Sequence, residues 1–122
     1  YLGACKHITK YDIDPEVIRA SKVTYLEGYL WDEPEAKEAI RRAIELAKEA
    51  KRKVSFTLSD VFCVDRHRAE FMELAKNGVD ILFSNEREMA SLLQSDDLEA
   101  NIKKVQGMCE IVVITRSAKG CV

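Results

Sequence analysis

Asp80-Ile81-Leu82-Phe83-Ser84-Asn85-Glu86-Arg87-Glu88-Met89-Ala90-Ser91-Leu92-Leu93 passes from one kind of patterning to another within a few residues. Ile81, Leu82 and Phe83 form a short apolar run of the kind found in strands buried on both faces, and the polar pair Ser84-Asn85 ends it. A helix is predicted to start there. The Asn85 side-chain oxygen can cap it, Glu88 three residues on can reach back to the N–H of the cap, and Met89, Leu92 and Leu93 supply an apolar face. The unit is strand, turn, helix, with two polar side chains at the carboxyl end of the strand. In open parallel α/β sheets ligands bind at that edge, and the positive end of a helix dipole suits an anion.

Three further strand patterns surround this unit. Val23-Thr24-Tyr25-Leu26 is broken by Glu27-Gly28-Tyr29, where glycine permits a turn that a larger residue would strain. Lys53-Val54-Ser55-Phe56-Thr57-Leu58 alternates apolar with polar or small residues and ends at Ser59-Asp60. Ile111-Val112-Val113-Ile114 is an uninterrupted β-branched run, followed by the turn Thr115-Arg116-Ser117-Ala118-Lys119-Gly120. Strands separated by helices predict a parallel sheet with right-handed crossovers and helices on both faces, a Rossmann-type three-layer α/β sandwich. Gly28, Ser59-Asp60, Ser84-Asn85 and Thr115-Arg116 would then share one polar edge.

The helices carry their own boundary signals. Asp14-Pro15-Glu16 opens a short helix that ends near Ser21. Asp32 and Glu35 form a candidate capping pair for a longer helix with the stripe Ala36, Ala39, Ile40, Ala43, Leu46, Ala47 and Ala50, with Glu38 and Arg42 paired on its outer face. Cys63 to Arg68 leads into a helix bearing Phe71, Leu74 and Ala75, with Asn77-Gly78 as a left-handed cap. His67, in its first turn, fits a surface or packing role. Asp96 and Glu99 repeat the capping pattern ahead of Leu98, Ile102 and Val105, and Gly107 ends that helix. This second pair is an internal control: the pattern by itself does not prove metal binding. Tyr1-Leu2-Gly3-Ala4 fits the end of a strand.

Composition is that of a soluble globular domain or part of one: 122 residues, 47% hydrophobic and 33% charged. Lys and Arg number 19 against 21 Asp and Glu, a net charge of -2 without a basic block, which gives no support for a nucleic-acid or membrane partner. Cys5, Cys63, Cys109 and Cys121 lie far apart, and with only His7 and His67 no zinc spacing arises. Reduced thiols in a cytoplasmic protein are the expectation, with no membrane span and no signal peptide. The chain begins at Tyr1 and stops just after a strand and turn, so it is expected to be a fragment.

Val23 to Glu27, Thr57 to Phe71, Asp80 to Leu93 and Val112 to Gly120 together resemble the central part of a PfkB-type carbohydrate kinase, the ribokinase and adenosine kinase superfamily. The Thr57 to Phe71 stretch is most similar to bacterial adenosine kinase-like sequences. The resemblance implies a ribokinase-like fold, incomplete here, with residues 1–122 as a central segment of the domain. It implies that Asn85 and Glu88 hold Mg2+, largely through water, beside the phosphates of ATP. It also implies that Thr115, Ser117 and Gly120 approach the nucleotide, with Ser117 standing where the family usually has the first Gly of Thr-x-Gly-x-x-Gly. Asp60 is a further candidate for the phosphate rim.

The family's Gly-Ala-Gly-Asp motif, with the base that activates the acceptor hydroxyl, does not occur, and neither does its amino-terminal glycine-rich segment. No catalytic residue is therefore assigned, and the segment alone is expected to be inactive, since phosphoryl transfer needs positioning, metal and base together. The intact protein would transfer the γ-phosphoryl group of ATP to a hydroxyl of a sugar or nucleoside, and a homodimer is the assembly expected with it. Two other classes are compatible with the residues. One is a signalling receiver domain phosphorylated on Asp60, although only Glu27 follows its first strand. The other is a non-catalytic module that binds a nucleotide or a protein.

Overall fold

The computed structural model describes residues 3–122. Its regular elements are α1 (Pro15–Ala20), β1 (Val23–Glu27), α2 (Pro34–Glu49), β2 (Lys53–Thr57), α3 (Val61–Glu73), β3 (Ile81–Asn85), α4 (Glu86–Leu93), α5 (Leu98–Val105) and β4 (Ile111–Thr115). The four strands form one sheet in the order β1-β2-β3-β4, and every pairing is parallel. Of the expected amino-terminal strand end, Tyr1 and Leu2 lie outside the described residues, and Gly3–His7 is a 3-10 helix.

Register decides which residues meet the helices. Thr24 pairs with Val54, Leu26 with Phe56, Phe56 with Leu82, Leu82 with Val112 and Ser84 with Ile114. Val54, Phe56, Leu82 and Ile114 from this set join one core with Ile40, Ile44 and Ala47 of α2, Val64 and Phe71 of α3, Met89 and Leu92 of α4, and Val105 of α5. Within it Trp31, Phe56 and Phe71 pack edge to face in a triangle, with ring centroids 6.3, 5.9 and 5.1 Å apart. Such pairs add roughly 0.5–1.5 kcal/mol each beyond the area they bury. The alternate residues do not enter this core. Val23, Tyr25 and Ile111 are exposed, and Ile81, Phe83 and Val113 are partly so. The helices expected on both faces therefore lie, within this chain, on one. The reason is topological: strands added in chain order by crossovers of one hand place successive helices on the same side.

Several local assignments change for identifiable reasons. Asp32 does not cap α2. Its carboxylate takes two hydrogen bonds from Arg66, 2.9 and 2.6 Å, and meets His67 Nε2 at 2.7 Å, and the Arg66 bonds hold it below the usual carboxylate range. Glu33 occupies the cap position without a side-chain capping bond, its carboxylate pairing with Lys6 instead, and Pro34 starts the helix. The α2 stripe is buried from Ala36 to Ala47 and gains Ile44, whereas Ala50 is the half-exposed C-cap; Glu38 pairs with Lys10 and Arg42 with Glu45 rather than with each other. The cap of α5 is Asp97, not Asp96, and its side chain accepts from Ala100 N–H. Asn77-Gly78 closes a π-helical turn, Leu74–Gly78, without left-handed geometry. His67 has non-helical φ and ψ inside α3, and its ring, pinned by Asp32, packs on Phe71 at 5.9 Å.

Gly28 is required for closeness, not for a left-handed turn. Its φ is not positive, and a Cβ there would lie 2.7 Å from the Leu58 carbonyl oxygen. Gly107 is the converse, with φ of +77° and open space around it. Gly28→Ala is expected to lower unfolding free energy by about 1–3 kcal/mol through forced backbone movement. Gly107→Ala should cost roughly 1–2 kcal/mol through strain alone. Urea unfolding measures both losses. Amide shifts at Leu58 to Asp60 separate them, because only the Gly28 variant should move those signals. A Gly28→Ala chain as stable as the parent would refute the close-approach account.

Candidate functional site

Parallel pairing in chain order brings all four strand ends to one border. Glu27 pairs with Thr57, Thr57 with Phe83, and Asn85 with Thr115, so the last two residues are direct neighbours across β3 and β4. Loop bonds lace the tips together. Tyr29 N–H donates to Ser59 Oγ at 3.3 Å, Leu58 N–H to the Phe83 carbonyl at 3.0 Å, and Thr115 Oγ1 to the Ser84 carbonyl at 3.2 Å.

At the centre of this border Asn85 and Glu88 form a reciprocal cap. Asn85 Oδ1 accepts from Glu88 N–H at 2.8 Å, Glu88 Oε2 accepts from Asn85 N–H at 3.0 Å, and Asn85 Nδ2 donates to Glu88 Oε1 at 2.6 Å. The box ends β3 and starts α4 in the same step. Glu88 is buried, and that burial pushes its carboxyl up, opposed by the Asn85 amide and reinforced by the negative charge of Asp60. Each Glu88 oxygen accepts one of these bonds, so lone pairs remain on both. Among the described residues no group of three or more His, Cys, Asp and Glu side chains could hold a metal by itself. The donor set fits a hydrated divalent cation shared with a ligand's own oxygens, and such a cation would relieve the repulsion between Asp60 and Glu88.

Asp60 has a structural duty as well. It caps α3, with Oδ1 accepting from Phe62 N–H at 2.5 Å and Cys63 N–H at 3.2 Å. Together with Asn85, Arg87 and Glu88 it lines an open cleft of about 370 Å³. Two aromatic residues that the sequence patterns did not single out belong to the same region. Phe62 lines the cleft and is 71% exposed. Tyr29 is tied to the same border through its N–H bond to Ser59, and burial first, then the charges of Asp60, Cys63, Glu88 and Glu27, raise its phenol. The available signal was negative in kind: Phe62 falls outside the apolar stripe of α3, where a buried aromatic would not.

The loop after β4 is tied to the same place. Arg116 Nε donates to Glu86 Oε1 at 2.8 Å, linking the loop to the first turn of α4. Ser117 sits at φ of +55°, and Gly120 at φ of 80° and ψ of -134°. The left-handed backbone that glycine favours is thus kept at Ser117 with a side chain present. Beyond the loop, Ile114 and Val122 exchange backbone bonds of 2.7 and 3.0 Å, an antiparallel return along the outer edge of β4. Asn85, Glu88, Asp60, Thr115, Ser117 and Gly120 all lie at or just beyond this border, whereas His67 is drawn to Asp32 instead.

A parallel α/β sheet with polar strand tips and a capped helix at its carboxyl edge belongs to the class of open α/β proteins whose ligands bind at that edge. The particular family follows from comparison: residues 6–122 match the model of the pfkB family carbohydrate kinases, and the chain belongs to that family. The chain is similar to a probable sugar kinase from Rhizobium etli CFN 42, with 47% identity and a TM-score of 0.94, covering 100% of this chain and 37% of that one. It is similar to adenosine kinase from Sinorhizobium meliloti, with 44% identity and a TM-score of 0.94, covering 100% of this chain and 38% of that one. A putative ribokinase II from E. coli, solved in complex with ATP and Mg2+, shares the fold at 17% identity and a TM-score of 0.82, over 97% of this chain and 39% of that one. No curated protein sequence matches the chain. The chain thus spans well under half the length of these relatives, and family membership removes the receiver-domain alternative. Among the described residues no helix is long and apolar enough to cross a membrane.

Two outcomes test the site. A carbon-detected titration should place the Glu88 midpoint above the ordinary glutamate range, and Asp60→Asn should lower it while preserving the cap. A folded-state value raised in this way means that the stability Glu88 contributes is present below the unfolded value and lost as pH rises through the folded one. An unmoved midpoint in the variant would show that the two carboxylates do not interact. Ser117→Gly should raise unfolding free energy by about 1 kcal/mol by releasing left-handed strain, read as a higher urea midpoint with an unchanged slope.

Proposed function

We propose that this chain is the central segment of an ATP-dependent kinase that transfers the γ-phosphoryl group to a hydroxyl of a sugar or nucleoside. The observation that supports the reading is the pairing of Asn85 with Thr115 across β3 and β4, which brings the Asn85–Glu88 cap and the loop after β4 to one border. In this reading Asn85 and Glu88 organise hydrated Mg2+ beside the phosphates, and Thr115, Ser117 and Gly120 approach the nucleotide. Asp60 completes the negative rim opposite Glu88. Bound Mg2+ would supply charge neutralisation for the phosphate oxygens, which Asp60 and Glu88 alone would repel.

The acceptor is left between a sugar and a nucleoside by the two similar proteins, one described as a probable sugar kinase and one as an adenosine kinase. The exposed ring of Phe62, which lines the cleft, supports a nucleoside base. The general base is assigned to polypeptide outside this segment, and with it a cytoplasmic, complete enzyme.

The test uses the intact polypeptide that contains this segment, assayed for ATP-dependent phosphorylation of adenosine and of ribose. Asn85→Ala and Glu88→Ala should each lower activity by about 10–100-fold and raise the Mg2+ needed for half-maximal rate. Phe62→Ala should raise KM for adenosine more than for ribose, and residues 1–122 alone should transfer no phosphate. Activity in both Asn85 and Glu88 variants equal to the parent would remove this border from the reaction.

A further inference from the structure

A second hollow, larger than the cleft and opening onto the helix layer, lies between the start of α3, the length of α4 and the start of α5. It has a volume of about 740 Å³, within the range of small-molecule sites. Its inner wall contains Asn101, only 2% exposed. The Asn101 Nδ2 donates to the Ser95 carbonyl at 2.7 Å, which fixes the amide, and its buried Oδ1 has no partner among the described residues. A buried acceptor without a donor costs about 1–3 kcal/mol and marks a position where a donor is missing.

The charges around the hollow are sorted in a telling way. Asp65 is satisfied by Arg68 at 2.7 Å and by the Ser91 hydroxyl at 2.6 Å, and Glu86 by Arg116. Two lining charges are left without partners among the described residues, Arg87 at one end and Asp96 at the other. Arg87 sits in the first turn of α4, where the helix dipole adds to its attraction for an anion. Asp96 lies next to Ser95, the residue that anchors Asn101. From Arg87 to Gln94, at the far end of the same helix, the rise is about 10 Å. The wall between them is mixed: Ala90 and Leu98 form its apolar part, and Ser91, Gln94 and Ser95 its polar part.

We infer that this hollow binds a nucleoside monophosphate carrying an exocyclic amine. Its phosphate pairs with Arg87, the flat face of its base lies against Ala90 and Leu98, and its amine donates to Asn101 Oδ1 and to the Asp96 carboxylate. Each unsatisfied group then receives a partner of the right sign. A sugar phosphate leaves the apolar wall bare, and a neutral nucleoside leaves Arg87 unpaired. The site shares Arg87 with the cleft beside Asn85 and Glu88 but otherwise uses different residues, so it does not depend on the phosphoryl-transfer reading.

Titration of adenosine 5′-monophosphate into the chain, without Mg2+, tests the assignment by calorimetry and by amide shift mapping. Saturable binding is expected, with shifts at Ala90, Leu98 and Asn101. Asp96→Asn and Asn101→Leu should each weaken it by about 3- to 10-fold, the effect of losing one hydrogen bond. Adenosine and ribose 5-phosphate, each holding half of the recognised groups, should bind at least about 10-fold more weakly. If Asn101→Leu fails to fold, Asp96→Asn, on the surface, carries the comparison. Absence of binding at about 10 mM, a concentration that would detect millimolar affinity, overturns the site. So does binding that is indifferent to Asp96 and lost in Asn85→Ala, because the ligand would then occupy the cleft.

Discussion

Parallel pairing in chain order is the constraint from which the rest of this structure follows. It sends the carboxyl ends of β1 to β4 to one border, so the polar residues that end or follow the strands gather there. It fixes Asn85 opposite Thr115 before any side chain is considered. It also divides each strand into a set that enters the aromatic core around Phe56 and a set that does not. A slip of one residue in any pairing would exchange those sets, setting Ser55 in place of Phe56 against Phe71 and Trp31. The hydrophobic layer and the polar border are therefore two consequences of a single register.

Capping chemistry does the local work at that border, and it does two jobs with the same atoms. The Asn85–Glu88 box satisfies orphan N–H groups at the start of α4 while holding a carboxylate inside the protein, where burial and Asp60 disfavour its charge. Asp60 likewise caps α3 and faces the cleft. Neither residue can be sorted into structure or function alone. The α5 start clarifies the difference: Asp97 caps with a single bond to Ala100 and leaves no buried acid behind. What distinguishes the Asn85 box from an ordinary cap is the low exposure of Glu88 and the second carboxylate across from it, both properties of the tertiary structure.

That distinction explains what could be read from residues alone. The four strands, their parallel direction, the apolar stripe of α2 and the polar tips were legible because each rests on local periodicity or on a residue with few conformational roles. Asn85, Glu88 and Asp60 were visible as caps. The misreadings arose where a distant partner competed with a local pattern. Asp32 has the spacing of a capping residue but is taken by Arg66 and His67, more than thirty positions away in sequence. Gly28 suggests a turn, yet its conformation is one any residue could adopt, and the Leu58 carbonyl is what excludes a side chain. Helices on both faces was a rule for the sheet type, and the monotonic strand order overrides it within this chain.

The electrostatics of the border have a further consequence. Glu27, Asp60 and Glu88 all act on Tyr29, and the nearest arginine of the β4 loop, Arg116, is already engaged with Glu86. A polyphosphate brought to this edge without a cation would meet net negative charge at the closest range, where screening by salt is weakest. The helix dipole at α4 offsets only a fraction of a charge. In the proposed kinase reading, a multivalent cation between the carboxylates and the phosphates would remove this repulsion. Arg87, a cation with no carboxylate partner among the described residues, lines both the cleft and the hollow beside α5. Its charge is available to either ligand but not to both at full strength. Occupation of the hollow by a phosphate would therefore weaken anion binding in the cleft, a coupling that requires no movement of the fold.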